Sequence, residues 1–104
     1  DCLLSRGLGD VYKRQKARGI KVYGATITPT KGNCWYSFWH EAIRQTVNEW
    51  IRKGGFFDEI IDFDELTRDP QDPQRLKPDY SDDWLHLNPK GYEAMGKFAA
   101  DKLK

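Results

Sequence analysis

The feature that most constrains the fold is a β-rich run, residues 19–27, that carries apolar groups on both of its faces. Strands with one solvated face usually alternate apolar and polar residues, whereas strands buried on both sides do not. The run is therefore predicted to be a strand of a parallel sheet that helices cover on both sides. One face holds Ile20, Val22 and Gly24, and the other holds Tyr23, Ala25 and Ile27.

An amphipathic helix is predicted over residues 38–53, because apolar residues recur there at helical spacing. Ser37 is a suitable N-cap, and Arg52 and Lys53 before Gly54 form a stop signal. The apolar stripe consists of Trp39, Ile43, Val47, Trp50 and Ile51.

Residues 57–63 are predicted to form a second strand. A helix between two apolar strands implies a right-handed βαβ crossover and a parallel sheet. Because ligands of such sheets bind outside the carboxyl ends of the strands, the loops after Ile27 and Phe63 are expected at the ligand edge. A long loop with three prolines follows, at Pro70, Pro73 and Pro78.

A last helix is predicted to open at Asn88 and Pro89, which suit the N-cap and the first helical position. We expect the loop before it to return to the ligand edge of the sheet. The helix carries Tyr92, Met95, Phe98, Ala99 and Leu103 on one side.

Length and charge exclude several classes of protein. A chain of 104 residues allows one small domain. Its 17 basic and 16 acidic residues give a net charge of +1, which argues against a nucleic-acid binder. The sequence has no run of about 18 apolar residues, so no transmembrane segment is predicted. Cys2 and Cys34 lack metal-binding spacing, and no disulfide between them is expected. Secreted and cytoplasmic locations both stay open, as does the oligomeric state.

The N-terminal segment is interpreted as foreign to the fold. Residues 5–15 read SRGLGDVYKRQ, and their back-translation resembles the DNA of a transposase-type sequencing adapter over every codon. A flexible basic tail is the alternative. We expect residues 1–15 to be a non-native tail without fold information, and residues 16–104 to be the C-terminal part of one domain. The chain is accordingly expected to be a fragment of a longer protein.

Asp83 and His86 are the residues best suited to carry chemistry. A loop Asp placed shortly before a His can accept a hydrogen bond from one imidazole nitrogen. The other nitrogen can then take a proton from a hydroxyl, as in the general-base pair of a hydrolytic triad. A surface pair without function has the same spacing. A metal site that adds Asp62 and Asp64 is a further alternative, although no compact multi-His set accompanies them.

The string DWLHLNPKGYEAMGKFAADKL resembles the C-terminal block of the SGNH (GDSL-like) hydrolases, where a DxxH precedes a proline-containing helix start and a Gly-Tyr. GIKVYGATITPTKGN and residues 44–83 resemble the strand, helix, strand and long loop of that family. The resemblance implies a three-layer α/β/α, flavodoxin-like fold and ester hydrolysis through a serine, with Asp83 and His86 as acid and base. It further implies a small acyl-ester substrate, such as an acetylated carbohydrate or a lipid ester, and no metal or organic cofactor.

The family's Gly-Asp-Ser nucleophile motif and its oxyanion Gly and Asn blocks are not found in this sequence, so we expect the chain alone to be inactive. Leu87 stands where most relatives have Pro. This difference affects the loop, but both catalytic side chains are still present. Ser37 is interpreted as a helix cap, Ser81 as a loop residue and His40 as a helix histidine. The alternative function is a non-catalytic α/β domain that binds a carbohydrate or a partner. A phosphoryl-handling domain would need a Gly-rich loop, which is not seen here.

An aromatic cluster follows the first strand. It is interpreted as core packing and helix anchoring, with an apolar or sugar-stacking wall of the substrate cleft as the alternative. The cluster consists of Trp35, Tyr36, Phe38 and Trp39.

Overall fold

The computed structural model describes residues 10, 11, 13–15 and 17–104. Predictions for Cys2 and for most of the N-terminal tail lie outside the described residues. In chain order the elements are β1 (Tyr23–Ala25), α1 (Phe38–Lys53), β2 (Glu59–Ile61), α2 (Phe63–Thr67), β3 (Arg68–Asp69), β4 (Asp72–Leu76), a 3-10 helix (Pro78–Tyr80) and α3 (Pro89–Leu103).

The strands β1 and β2 pair in parallel, with α1 between them in the chain. This pairing confirms the predicted strand, helix, strand order and the α/β class. The described residues form two strands of this sheet, and the complete three-layer, flavodoxin-like arrangement stays a prediction. A separate antiparallel hairpin joins β3 and β4.

Both strands are shorter than predicted, and side chains bind backbone groups beyond the two ends of β1. After β1, the amide of Asn48 donates to the Ile27 carbonyl at 2.9 Å and accepts from the Ile27 N–H at 2.7 Å. Before β1, the Asp58 carboxylate accepts from the Val22 N–H at 2.7 Å. These contacts replace a sheet partner at each end of the strand.

The ends of α1 agree with the prediction because both caps are local. The Ser37 hydroxyl accepts a hydrogen bond from the His40 N–H at 3.0 Å, which confirms Ser37 as the N-cap. At the other end the Gly54 N–H donates to the Trp50 carbonyl at 2.7 Å.

The buried face of α1 is largely polar. Ile51 of the apolar stripe is buried, but Trp39 and Ile43 are exposed. The apolar stripe therefore does not coincide with the buried face of the helix. The inward positions are Glu41, Arg44, Asn48 and Ile51. Of these, Arg44 and Asn48 bind partners far away in sequence, which a helical hydrophobicity pattern does not detect.

A network of charged side chains, called the Arg44 network here, fills the space between α1 and the end of β2. Arg44 donates to Asp64 at 2.8 Å and to Glu41 at 2.7 and 2.9 Å. Arg52 donates to Asp62 at 2.7 and 2.8 Å and to Asp64 at 2.8 Å. The network consists of these five residues, and it fixes α2 against α1.

The segment predicted as a long loop is largely regular. Asp62 ends the second strand early, because its carboxylate accepts from the Glu65 N–H at 3.1 Å and caps α2. Pro70 lies in the turn between β3 and β4, and Pro73 lies within β4. Pro78 opens the 3-10 helix. The loop prediction is wrong here, since a short hairpin with the sequence DPQRL in one strand shows no apolar alternation.

The helix α3 begins as predicted, with the Asn88 side chain accepting from the Gly91 N–H at 2.9 Å. Phe98 packs against Phe63 with ring centroids 6.2 Å apart. Tyr92 and Leu103 are exposed, so the predicted apolar side is buried only in part. No helix in the described part of the chain is long and apolar enough to cross a membrane.

The contacts of Asp62 predict a specific loss of stability in acid. Partial burial opposes ionisation of this carboxyl, but hydrogen bonds from Arg52, the Glu65 N–H and Thr26 lower its pKa from 3.8 to about 2. Its contribution is therefore present above an unfolded-state pKa of about 4 and is lost as the pH falls towards 2. Because a fifth of the side chain is exposed to solvent, we expect about 1 kcal/mol.

Urea unfolding of wild type and Asp62→Asn at a series of acidic pH values tests this prediction. The two unfolding free energies are expected to converge as the pH approaches 2, since Asn keeps the cap of α2 but does not titrate. Asp101→Asn is the matched control, because that carboxylate is exposed. Parallel curves for wild type and Asp62→Asn contradict the prediction.

Candidate active site

The segment from Ser81 to Leu87 is a closed loop between the 3-10 helix and α3. Ser81 and Leu87 form an antiparallel bridge at its base. The Ser81 hydroxyl donates to the His86 carbonyl at 2.7 Å and accepts from the Trp84 N–H at 3.0 Å. Asn88 caps α3 immediately afterwards. These internal hydrogen bonds fix the backbone of the loop, and a fixed backbone is needed to hold two side chains at a constant distance.

The structure brings Asp83 and His86 together. His86 Nδ1 lies 2.8 Å from Asp83 Oδ2. The other carboxylate oxygen, Oδ1, accepts from the backbone N–H groups of His86 at 2.8 Å and of Leu85 at 2.9 Å. The His86 ring and these two N–H groups hold the pKa of Asp83 well below its usual range. Asp83 is therefore an anion with a fixed orientation.

This geometry selects one tautomer of His86. Because Asp83 accepts from Nδ1, that nitrogen carries the proton and Nε2 keeps its lone pair. The side chain of His86 is 71% exposed, and Nε2 has no hydrogen-bond partner among the described residues. Such a ring can remove a proton from a hydroxyl that approaches Nε2, while Asp83 stabilises the imidazolium that forms.

The GDSL-like lipase/acylhydrolase family matches residues 4–94, a range that includes Asp83 and His86. The chain belongs to this family. Its structure is similar to the crystal structure of a GDSL-like lipase from Bacteroides thetaiotaomicron VPI-5482, with a TM-score of 0.73 and 20% sequence identity. The match covers 93% of this chain and 49% of that lipase, so the chain spans about half the length of its structural relative. Comparison with curated proteins gives no match.

Family membership agrees with the resemblance carried by the DxxH block, and the structural likeness confirms the α/β fold. The interpretation of residues 1–15 as a non-native tail stays a prediction. The family match begins at residue 4, within that segment.

Neither of the described serines of this GDSL-like chain is paired with His86 Nε2. Ser37 caps α1, as predicted. Ser81 is a loop residue, also as predicted, and its hydroxyl points to the His86 carbonyl. Both hydroxyls are therefore engaged in local structure, and neither is presented to the general base.

The other sequence candidates lie in different surroundings. Asp62 and Asp64 bind Arg52 instead of gathering around Asp83 and His86. The part of the chain that the structure describes holds no group of three metal-binding side chains. His40 lies on α1 and its Nδ1 is 2.6 Å from the Trp35 carbonyl oxygen, in agreement with its interpretation as a helix histidine.

The aromatic cluster of the GDSL-like chain is mostly outside the core. Trp35, Phe38 and Trp39 are at least 65% exposed, and the core interpretation is wrong for them. Tyr36 is half-buried, and its hydroxyl donates to the Gln74 side chain at 2.7 Å. The first turn of α1 therefore presents a broad apolar surface.

Three residues that contact the loop of the site were not predicted from the sequence. The Asn33 amide donates to the Asp83 carbonyl at 2.9 Å. The Arg75 guanidinium lies 4.9 Å from the Trp84 ring centroid. Gly32 lies so close to that ring that a Cβ there would be 2.9 Å from Trp84 Cγ. Gly32 and Asn33 are residue types common in turns, but nothing in the sequence indicates their contact with a loop 50 residues later.

Proposed function

We propose that this chain supplies the acid and base of a serine acylhydrolase, with His86 as general base and Asp83 as its orienting acid. The supporting observation is the 2.8 Å contact between His86 Nδ1 and Asp83 Oδ2, in a loop that leaves the opposite ring nitrogen open. Membership in the GDSL-like lipase/acylhydrolase family supports the same reaction class.

In the proposed reaction, His86 Nε2 takes the proton of a serine hydroxyl as that oxygen attacks the acyl carbon of the ester. The imidazolium, stabilised by Asp83, then gives the proton to the departing alcohol oxygen. Water repeats the sequence on the acyl-enzyme and releases the acid. The substrate class that we propose is a small acyl ester, such as an acetylated carbohydrate or a lipid ester.

We further propose that the nucleophilic serine and the oxyanion groups belong to a segment outside this chain. The described serines are engaged elsewhere, and the chain spans 49% of the lipase that it resembles. The chain alone is then expected to hydrolyse p-nitrophenyl acetate no faster than its own His86→Ala variant does. Serine-dependent turnover by the isolated chain, abolished by Ser37→Ala or Ser81→Ala, contradicts this assignment.

The proposed tautomer is testable in the chain itself. Long-range ¹H–¹⁵N spectra at mildly alkaline pH are expected to show His86 protonated at Nδ1. In Asp83→Asn this preference is expected to weaken, because the carboxylate that fixes the proton is gone. His40 is the internal control, since its Nδ1 faces a backbone carbonyl that the variant leaves unchanged. An unchanged His86 spectrum in Asp83→Asn contradicts the pair.

A non-catalytic binding domain is the second candidate, and the exposed ring faces of Trp35, Phe38 and Trp39 favour it. Aromatic faces of this kind stack on sugars or pack against apolar partners. The two candidate functions predict different effects of His86→Ala on ligand affinity and on ester turnover. A binding domain keeps its ligand affinity in His86→Ala and loses it in Trp35→Ala or Trp39→Ala. An esterase loses turnover in His86→Ala.

A further inference from the structure

Trp84, between the two proposed catalytic side chains, has a backbone that its side chain does not favour. Its φ of 65° lies in the left-handed region, and Trp84 is the one non-glycine residue there in the described chain. A bulky side chain is strained in this conformation and persists only where its surroundings hold it. The indole must therefore make contacts that offset the strain.

The indole is held between two other segments. Arg75 of β4 places its guanidinium 4.9 Å from the ring centroid, which is a cation–π distance. Asp69 of β3 accepts from Arg75 at 2.7 Å and keeps it in place across the hairpin. Gly32 contacts the ring as well, and a Cβ at that position would be 2.9 Å from Cγ and Cδ1.

The same two segments are tied to each other and to the loop of the proposed site. The Lys31 N–H donates to the Gln74 carbonyl at 3.0 Å, which joins the turn after β1 to β4. Asn33 of that turn donates to the Asp83 carbonyl at 2.9 Å. The carbonyl of the Asp83–Trp84 peptide is therefore anchored to a turn that is itself hydrogen-bonded to β4.

We propose that Trp84 is a positioning residue, clamped by Arg75 and Gly32, that holds the Asp83–His86 loop in its hydrogen-bonded geometry. The proposal rests on the proposed function of Asp83 and His86. In this assignment the β3–β4 hairpin is the platform of the site, and Trp84 acts through Asp83 and His86 without touching the substrate.

Amide hydrogen exchange of the chain tests the clamp directly. The N–H groups of Leu85 and His86 both donate to Asp83, so their exchange rates report how often the loop opens. We expect Trp84→Asn and Arg75→Gln to raise both rates about tenfold. Asn tolerates the left-handed backbone better than most side chains, so the effect of Trp84→Asn does not come from added strain. Trp84→Phe keeps an aromatic ring next to Arg75, so its exchange rates at Leu85 and His86 are expected to lie between those of wild type and Trp84→Asn.

Lys102→Gln is the matched control, because it removes a cation from the face of Phe98 on α3, away from the loop. Unchanged exchange at Leu85 and His86 in both Trp84→Asn and Arg75→Gln overturns the clamp, as does equal acceleration in Lys102→Gln. The outcome is independent of the proposed reaction. Activity that survives His86→Ala in a serine-containing polypeptide contradicts the reaction, whereas the exchange rates report on the clamp alone.

Discussion

In a polypeptide that joins this chain to the proposed serine nucleophile, His86→Ala is expected to lower kcat for ester hydrolysis by about 10³-fold or more. The variant removes the imidazole whose Nε2 lone pair is open to a hydroxyl, and the members of a triad act as a unit. Substrate binding does not require the base, so KM is expected to change far less than kcat.

Asp83→Asn is expected to lower kcat by as much as His86→Ala does, or by less. The amide can still accept from the backbone N–H groups that hold Asp83, but it neither fixes the tautomer nor stabilises the imidazolium. If the backbone alone orients the ring, the loss shrinks to roughly tenfold. Steady-state kinetics with p-nitrophenyl acetate measure both variants, and Asp79→Asn serves as an exposed carboxylate control on the neighbouring 3-10 helix. Near-full kcat in a folded His86→Ala variant excludes His86 from the mechanism.

The features predicted correctly from the sequence are those that depend on neighbours along the chain. Ser37, Gly54 and Asn88 end or begin helices through contacts within four residues, so α1 and the start of α3 agree with the prediction. Asp83 and His86 are three residues apart, and their pairing needs only a local turn.

Long-range contacts explain what the sequence did not reveal. The inward face of α1 is polar because Arg44 binds Asp64, 20 residues away, and Asn48 binds Ile27, 21 residues away. A hydrophobicity pattern assigns such residues to the solvent face. The left-handed conformation of Trp84 is equally hidden, since its indole contacts a glycine and an arginine in other segments.

The Arg44 network carries the second large prediction, because it places charges in the interior. Arg44 is 4% exposed, Glu41 6% and Asp64 1%. Burial lowers the pKa of Arg44, but hydrogen bonds to Glu41 and Asp64 reverse this and raise it above its usual value. Each buried charge is therefore stable only while its partners are present.

Arg44→Met is expected to lower the free energy of unfolding by about 3–5 kcal/mol. Met fills much of the space left by the Arg stem, so the loss reflects orphaned charge more than a cavity. Asp64 keeps Arg52 as a partner, whereas Glu41 keeps only the neutral Gln45 amide at 2.7 Å. Glu41 is accordingly the main source of the destabilisation.

Urea unfolding of three variants separates orphaned charge from lost packing. Adding Glu41→Gln to Arg44→Met is expected to restore part of the stability, because a neutral amide replaces the unpaired anion. Lys53→Met, which breaks the exposed pair with Glu49 on the same helix, is expected to change the unfolding free energy by no more than about 0.5 kcal/mol. A double variant no more stable than Arg44→Met assigns the loss to packing and contradicts the charge-based account.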